Sequence, residues 1–175
     1  HYLRFLPRRW LRWAARRFSR AQSRKLDAMV VHSTLMQQVL ENYQVECPMQ
    51  IIPTGLDISR FEGGDGLRFR TVYGIDQRRP LLCHVGRSAH EKNIDFLLDM
   101  LVLVKQQVPD ILLVLAGEGP ARRHLEHMAV SLGLGANTLF VDYLDRASVL
   151  KDCYHAGDVF VFASRTETQG LVLLE

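Results

Sequence analysis

The feature that most constrains the fold is a series of four apolar segments from Pro80 onward, each followed by a helical pattern. The apolar segments are LLCHV, ILLVLA, TLFVDYL and VFVFA. The helical patterns cover residues 94–107, 121–132 and 147–155, and a fourth helix is expected to start near Gly170. Strands that are apolar at consecutive positions are typical of parallel sheets covered on both faces. The series therefore predicts an α/β fold, a Rossmann-like parallel sheet with helices on both faces.

The loops after these strands are where a ligand is expected. In parallel sheets wound with helices, ligands bind beyond the carboxyl ends of the strands. Residues 86–93, 117–120, 142–146 and 164–170 are therefore predicted to lie along one edge of the sheet.

The terminal segment SRTETQGLVLLE combines a polar loop, a glycine and an apolar run directly after the last apolar strand. It places Glu167 in the loop, Gly170 at the expected start of a helix and Glu175 one turn inside that helix. The free N–H groups and partial positive charge of a helix N-terminus suit a phosphate. Acids eight residues apart on one helix would be about 12 Å apart on different faces, so an acid/base pair is not expected.

The loop GRSAHEKN, after the first strand of the series, contains two cations, Arg87 and Lys92. At a strand end that faces a helix N-terminus, they form a candidate diphosphate clamp, with arginine as a fork and lysine as a point charge. The alternative is that both are solvated surface cations. His90 of the same loop is a candidate ligand contact, and His84 of the strand is interpreted as a core or near-site residue.

The loop GEGP, after the next strand, is similar to a dinucleotide-binding fingerprint. Residues 117–119 follow a strand, and Asp142 ends the next strand, where a ribose-binding acid would lie. Arg122 occupies the third glycine position, and its bulk is expected to obstruct helix–strand packing, which argues against a nicotinamide cofactor. The alternative is a tight turn with Pro120 at the first helical position.

The sequence favours no metal site. It contains no D-x-D and no HExxH, and its three cysteines, Cys47, Cys83 and Cys153, form no CxxC pair. This pattern favours a reducing, cytosolic setting without structural zinc. His124 and His127 are three residues apart on a predicted helix, and a solvated helix face is favoured over a shared metal.

Residues 3–25 form a basic amphipathic segment whose apolar residues recur every three or four positions, as in a helix. Residues 1–25 contain nine Arg or Lys and no acid, although the net charge of the whole chain is only +3. Two tryptophans among the arginines suit an anionic membrane surface. The alternatives are a helix packed on the protein and a nucleic-acid contact, the latter not expected. No apolar run approaches the ~20 residues of a membrane span.

Shorter elements are predicted before Pro80. Apolar strands are expected at residues 28–31 and 49–55, separated by a helix capped by Ser33 or Thr34. A short helix is expected around residues 67–73.

Several stretches together resemble glycosyltransferase family 4, a family of retaining enzymes with the GT-B fold. They are IIPTGLDISRF, HVGRSAHEKN, LLVLAGEGPARRHLE, LFVDYL and YHAGDVFVFASRTETQGLVLLE. The order and spacing match from about residue 27 onward, and the E-x7-E pattern of the last stretch is the most specific signal. ETQGLVLLE is similar to members that glycosylate lipids, such as diacylglycerol glucosyltransferases. Asp142, Gly157 and Ala163 depart from the glycine, alanine and proline that are usual in the family.

The resemblance implies a nucleotide-sugar donor site and sugar transfer with retention at the anomeric carbon. It implies that Arg87 and Lys92 hold the diphosphate, that Glu167 lies by the donor-sugar hydroxyls and that Glu175 binds the ribose. The candidate substrate-binding residues are Gly86, Arg87, Lys92, Glu118, Glu167, Gly170, Leu171, Val172 and Glu175. Within this set, Glu167, Arg87 and Lys92 are the candidate catalytic residues. No metal or other cofactor is expected, because fixed charges would stabilise the diphosphate leaving group.

The resemblance also implies a domain organisation. Residues 1–55 would be the tail of an N-terminal acceptor domain, residues 56–79 a linker, and residues 80–175 an incomplete donor-binding domain, with Gly55 marking the hinge. A lipid or glycan acceptor and a cytoplasmic location, peripheral at the inner face of the plasma membrane, are expected. We expect no sugar transfer by this chain alone. The alternatives are a non-catalytic nucleotide-sugar-binding module and an NAD-dependent oxidoreductase.

Overall fold

The computed structural model describes residues 9–145, 148–167 and 169–175, with Arg9 and Arg12 described by their backbone alone. The first part of the predicted basic helix therefore lies outside the described residues. The chain divides into two compact units. One is His1–Leu56 together with Thr166–Leu174, and the other is Asp57–Arg165 together with Glu175.

The first unit contains two helices and a two-stranded parallel sheet in its described part. These elements are α1 (Arg9–Ser23), β1 (Met29–Val31), α2 (Thr34–Asn42) and β2 (Met49–Ile51). The strands pair from Met29 opposite Met49 to Val31 opposite Ile51. Ser33 caps α2 as predicted, because its hydroxyl accepts a hydrogen bond from the Met36 N–H at 3.2 Å.

The segment Thr166–Leu174 also belongs to the first unit. It contains a 3-10 turn, Leu171–Leu173, where the sequence predicted the start of a helix. That prediction is wrong for the described residues, because the backbone bonds from Leu173 to Gly170 and from Leu174 to Leu171 span three residues rather than four. Gly170 precedes the turn with a φ of 65°, a conformation that favours glycine. Glu175 accordingly does not lie one turn inside a helix.

The second unit is built on a parallel sheet. Its described strands are β3 (Leu81–Val85), β4 (Leu112–Ala116), β5 (Thr138–Val141) and β6 (Val159–Phe160), in the spatial order β5-β4-β3-β6. Its described helices are α3 (Gly66–Val72), α4 (Ile94–Gln107), α5 (Arg122–Ser131) and α6 (Val149–Ala156). β3 and β4 pair over five residues, whereas β6 pairs with β3 at only two, so β6 is shorter than the predicted VFVFA.

Alternate residues along the strands face two separate hydrophobic cores. On one face, Leu81 and Cys83 of β3 pack in one cluster with Phe69 of α3 and Cys153 of α6. On the other face, Leu82 of β3 packs in a second cluster formed mainly by β4, α4 and α5. Because consecutive strand positions are buried on opposite faces, the structure confirms the predicted sheet with helices on both sides.

Helix α3 is fixed to α6 by buried polar contacts. The carboxylate of Asp152 accepts hydrogen bonds from the Asp65 N–H at 2.7 Å and from Nε of Arg68 at 2.8 Å. The guanidinium of Arg70, also buried, donates from Nη2 to the carbonyl of Ala156 at 2.7 Å. All but the first residue of the predicted linker, 56–79, form part of the second unit, and α3 confirms the short helix predicted around residues 67–73.

Candidate functional site

The order of the strands locates a switch point in the second unit. Chain order runs from β3 outward to β4 and β5, and then returns to place β6 on the opposite side of β3. β4 thus lies on one side of β3 and β6 on the other, so the strand order reverses at β3, and the crevice beyond the carboxyl end of that strand is where such sheets bind ligands. The predicted clamp loop, residues 86–93, follows β3 directly and so lies at this point.

The clamp loop is locked to the loop that follows β4. The Ser88 hydroxyl donates to the carbonyl of Gly117 at 2.8 Å, and the Ser88 N–H donates to the carbonyl of Glu118 at 2.9 Å. The carbonyl of Ser88 in turn accepts a hydrogen bond from the Ala121 N–H at 2.9 Å. These bonds fix the backbone on which Arg87 is mounted.

Glycine is required where the two loops meet. A Cβ at Gly117 would lie 2.2 Å from the carbonyl oxygen of Gly86, and a Cβ at Gly119 would lie 2.3 Å from that of Ser88. Gly117 also has a φ of 131°, which side chains rarely adopt. The GEG sequence is therefore explained by close backbone contact between loops, with no need for a dinucleotide cofactor.

Arg87 and Lys92 hold different positions in the clamp loop. Arg87 is exposed, and its side chain makes no hydrogen bond or ion pair with a described residue. Lys92 is half-buried at the end of the 3-10 turn His90–Lys92. Asn93 follows with a φ of 55°, and α4 begins at Ile94. Both cations therefore precede the N-terminus of a 14-residue helix, where an anion is favoured.

His84 is a buried residue of this edge, in agreement with the core or near-site interpretation. Its ring is 1% exposed, and Nδ1 lies 2.9 Å from the carbonyl of Val161, so Nδ1 carries the proton. Farther along, the Arg165 N–H donates to the carbonyl of Glu91 at 3.4 Å. The segment after β6 is thus tied both to β3 and to the clamp loop.

Glu175 has a partner that sequence reasoning missed. The hydroxyl of Tyr154, on α6, donates to Oε2 of Glu175 at 2.6 Å. Burial, together with the neighbouring Glu175 carboxylate, raises the pKa of Tyr154 well above its usual range, so the phenol remains a donor. No local pattern distinguishes Tyr154 from an ordinary core aromatic, because its partner is 21 residues away in the chain.

The candidate binding residues are divided between the two units. Gly86, Arg87, Lys92, Glu118 and Glu175 belong to the second unit, whereas Glu167, Gly170, Leu171 and Val172 belong to the first. Within the first unit, the segment of Glu167 is anchored by Gln169, whose Nε2 donates to the carbonyl of His32 at 3.3 Å. Gly170 is buried, and Glu167 is half-buried.

Arg122 and Asp142, the two residues on which the dinucleotide alternative depended, contact each other. Nη1 of Arg122 lies 3.4 Å from Oδ1 of Asp142, and its guanidinium lies 4.9 Å from the centroid of the Phe140 ring. Arg122 therefore packs against β5. Pro120 does not occupy the first helical position, because α5 begins two residues later, at Arg122.

The described residues contain no group of three or more His, Cys, Asp or Glu side chains placed to hold a metal ion. His124 lies on an exposed helix face, and its Nε2 is 2.5 Å from Oδ1 of Asp95. None of the described helices is long and apolar enough to cross a bilayer.

The sheet and its switch point define an α/β protein of the Rossmann-like class. Residues 67–175 match the family Glycosyl transferases group 1. The chain belongs to this family, which confirms the resemblance drawn from the sequence motifs.

Three known proteins illustrate the relationship. The alpha-monoglucosyldiacylglycerol synthase of Streptococcus pneumoniae is 30% identical over 155 residues, which are 86% of this chain and 35% of that protein. Sucrose-phosphate synthase from Thermosynechococcus elongatus has a TM-score of 0.77 at 24% identity, covering 95% of this chain and 41% of its own. Anabaena HepE, solved with UDP and glucose, has a TM-score of 0.77 at 18% identity, covering 92% and 45%.

These relatives are longer than the present chain, which spans between about a third and a half of their length. The structural matches confirm the predicted fold class.

Proposed function

We propose that the protein containing this chain is a retaining glycosyltransferase that transfers a sugar from a nucleotide-diphosphate sugar to an acceptor. The observation that supports this best is the position of Arg87 and Lys92 in the loop that leaves β3 at the switch point of the sheet. Ligands of open α/β sheets bind in that crevice. Two cations followed by the N-terminus of a long helix match the charge of a diphosphate.

In this proposal, the second unit binds the diphosphate and the ribose. Arg87 forks onto phosphate oxygens and Lys92 adds a point charge, so that the charge that develops on the leaving diphosphate is stabilised without a metal ion. The backbone of Gly86 lies beside them, and Glu118 follows on the interlocked loop. Glu175, oriented by Tyr154, accepts hydrogen bonds from the ribose hydroxyls.

In the terminal segment of the first unit, the residues have the roles that the family pattern implies. Glu167 contacts the hydroxyls of the donor sugar. The N–H groups of Gly170, Leu171 and Val172 bind phosphate oxygens.

The names of the similar proteins suggest which compounds to try. HepE was solved with UDP and glucose, and the pneumococcal relative is named for the synthesis of a glucosyldiacylglycerol. UDP-glucose and a diacylglycerol-based lipid are therefore the first donor and acceptor that we propose.

A transfer assay tests the proposed function. The protein containing this chain is incubated with UDP-, GDP- or ADP-sugars and lipid or glycan acceptors, and NMR assigns the anomeric configuration of the product. We expect the donor configuration to be retained, and we expect no turnover from the 175-residue chain alone. Product of inverted configuration would refute the retaining mechanism. Saturable donor binding without any transfer would instead indicate a non-catalytic binding module.

We further propose that α1 contacts an anionic membrane surface, as the basic segment suggested. Trp10, Trp13 and Phe18 are each about 60% exposed in a helix rich in arginine. Aromatic side chains at the headgroup level and arginines over anionic lipid are the features of interfacial helices.

Vesicle co-sedimentation tests the membrane contact. Serine at Trp10 and Phe18 together is expected to release the protein from anionic vesicles, whereas serine at Leu67, an exposed leucine of α3, leaves binding unchanged. The membrane contact would be refuted by equal binding to neutral vesicles. It would also be refuted if the Trp10/Phe18 variant remained bound to anionic vesicles. Either result would indicate that the aromatic face packs against another part of the protein.

A further inference from the structure

The first unit contains an open, solvent-exposed cavity of about 300 Å³ that the proposed donor site does not use. One of its lining residues, Trp13, also belongs to the exposed aromatic face proposed to contact a membrane. The lining of the cavity comes from one face of α1 and from the three residues at the end of α2. The lining residues are Trp13, Arg16, Arg17, Arg20, Asn42, Tyr43 and Gln44. Side chains three, four and seven residues apart lie on the same face of a helix, so the α1 sequence itself gathers the three arginines here.

Two of the arginines are held against aromatic rings. The guanidinium carbon of Arg16 lies 5.1 Å from the centroid of the Tyr43 ring, and that of Arg17 lies 5.7 Å from the centroid of the Trp13 ring. Stacking of this kind fixes a guanidinium through its flat face. The N–H groups at its edge remain available to an acceptor.

The charge of these arginines is not neutralised within the described part of the chain. None of the guanidinium groups of Arg16, Arg17 and Arg20 forms an ion pair or a hydrogen bond with a described residue. The nearest described ion pair in the sequence joins Arg24, one residue beyond the end of α1, to Glu46 at 4.0 Å, and neither residue lines the cavity. α1 itself contains no acidic residue.

The end of α2 does not explain the cluster. A helix C-terminus attracts cations, and Tyr43 and Gln44 follow the last helical residue, with Gln44 at a φ of 59°. Arginines that served this helix end would donate to its free carbonyls. No such bond is formed in the described structure, so the guanidinium groups surround the cavity without closing it.

We propose that this cavity binds a phosphomonoester group. Each guanidinium offers up to five N–H donors in a planar fork, which matches the oxygens of phosphate. Three forks around one small cavity suit a compact anion of more than one charge, and the side-chain amides of Asn42 and Gln44 add polar contacts. The phosphate can belong to a soluble sugar or polyol phosphate or to a phosphatidic acid headgroup. The site is independent of the proposed donor site.

Trp13 supplies the signal for a direct test. In the Trp10→Phe variant, Trp13 is the single tryptophan of this chain, and its fluorescence is followed while glycerol 3-phosphate is added at constant ionic strength. We expect a saturable change. Gln at both Arg16 and Arg20 should weaken binding by at least about tenfold, whereas Arg24→Gln, which removes the same kind of charge outside the cavity, should change it less than twofold.

A vesicle arm distinguishes the two sources of phosphate. Vesicles of a neutral lipid that contain phosphatidic acid are compared with vesicles of the same neutral lipid that contain phosphatidylglycerol, whose phosphate is a diester, at equal surface charge. Tighter binding to phosphatidic acid, lost in the Arg16/Arg20 variant, supports the site with a lipid ligand. Equal binding to both vesicles, with a saturable response to glycerol 3-phosphate, supports it with a soluble ligand.

Two results would overturn the proposal. One is the absence of a saturable response to glycerol 3-phosphate and of any preference for phosphatidic acid. The other is an equal loss of binding in the Arg24 control, which would show that phosphate senses only the net charge of the segment. Circular dichroism of each variant confirms that α1 remains helical.

Discussion

Replacement of Gly117 by alanine tests the lock between the two loops at the sheet edge. The new Cβ would lie 2.2 Å from the Gly86 carbonyl oxygen, whereas ordinary contacts begin near 3.4 Å, so the loops must separate by about 1.2 Å. The two nearest atoms, the carbonyl oxygen and carbonyl carbon of Gly86, belong to the backbone and cannot move aside as a flexible side chain would. The φ of 131° adds strain for any residue with a side chain.

The expected loss of stability follows from these two effects. Backbone strain of this kind costs about 1–3 kcal/mol, and the forced shift adds about 1 kcal/mol or more. We therefore expect the free energy of unfolding to fall by about 2–4 kcal/mol. For a unit of this size, the midpoint of thermal unfolding should decrease by about 10 °C.

Alanine variants of two other glycines of the same unit distinguish the cost of backbone strain from the cost of steric overlap. Gly133 has a φ of 67° and open space around it, so its alanine variant should lose only about 1–2 kcal/mol. Gly135 has neither a positive φ nor a close neighbour, and its alanine variant should change stability by less than about 0.5 kcal/mol.

Calorimetry and hydrogen exchange of the Ser88 and Ala121 amides measure these effects. Both amides donate across the junction, so their protection should fall selectively in Gly117→Ala. If Gly117→Ala loses no more stability than Gly133→Ala and both amides stay protected, the close contact between the loops is refuted.

Two further predictions concern hydrogen bonds to carboxylates. Tyr154→Phe removes the hydroxyl that orients Glu175, so steady-state kinetics of the parent protein should show a donor KM raised about tenfold with kcat nearly unchanged; an unchanged KM would contradict the positioning role. Burial alone would raise the pKa of Asp152, but the hydrogen bonds from the Asp65 N–H and from Arg68 together outweigh it, so the pKa is lowered. Its stabilisation is therefore complete above its unfolded pKa, near 3.8, and is lost as pH falls below that value. Asp152→Asn should reduce the free energy of unfolding at pH 7 by about 2 kcal/mol and flatten its decline below pH 4, as measured by urea denaturation; an equally steep acid decline in the variant would contradict this origin.

Sequence reasoning located the sheet of the second unit because its signals are local. The bounds of α4 agree with the predicted 94–107. The polar loop before it marks its start, and the extent of its apolar stripe marks its length. The alternation of Leu81 and Leu82 between two cores also follows from the continuous apolar run of β3.

The contacts that shape the candidate site could not be predicted in the same way. Ser88 meets Gly117, and Tyr154 meets Glu175, across 29 and 21 residues of chain, and no periodicity encodes such pairs. The helix expected at Gly170 was inferred from an apolar run that a 3-10 turn also satisfies. The cavity beside α1 depends on the tertiary approach of Tyr43, which the sequence of α1 does not reveal.

Donor binding tests the proposal that the loop after β3 binds a diphosphate. Isothermal titration of the protein containing this chain with UDP-glucose, GDP-mannose and ADP-glucose should identify a donor that binds saturably. Arg87→Ala and Lys92→Ala should each weaken that binding by about tenfold or more. Arg78→Ala, which removes an exposed cation just before β3 at the opposite end of the strand, should leave it within about twofold. Donor affinity that is unchanged in both loop variants, or reduced equally in the Arg78 control, would contradict diphosphate binding by this loop.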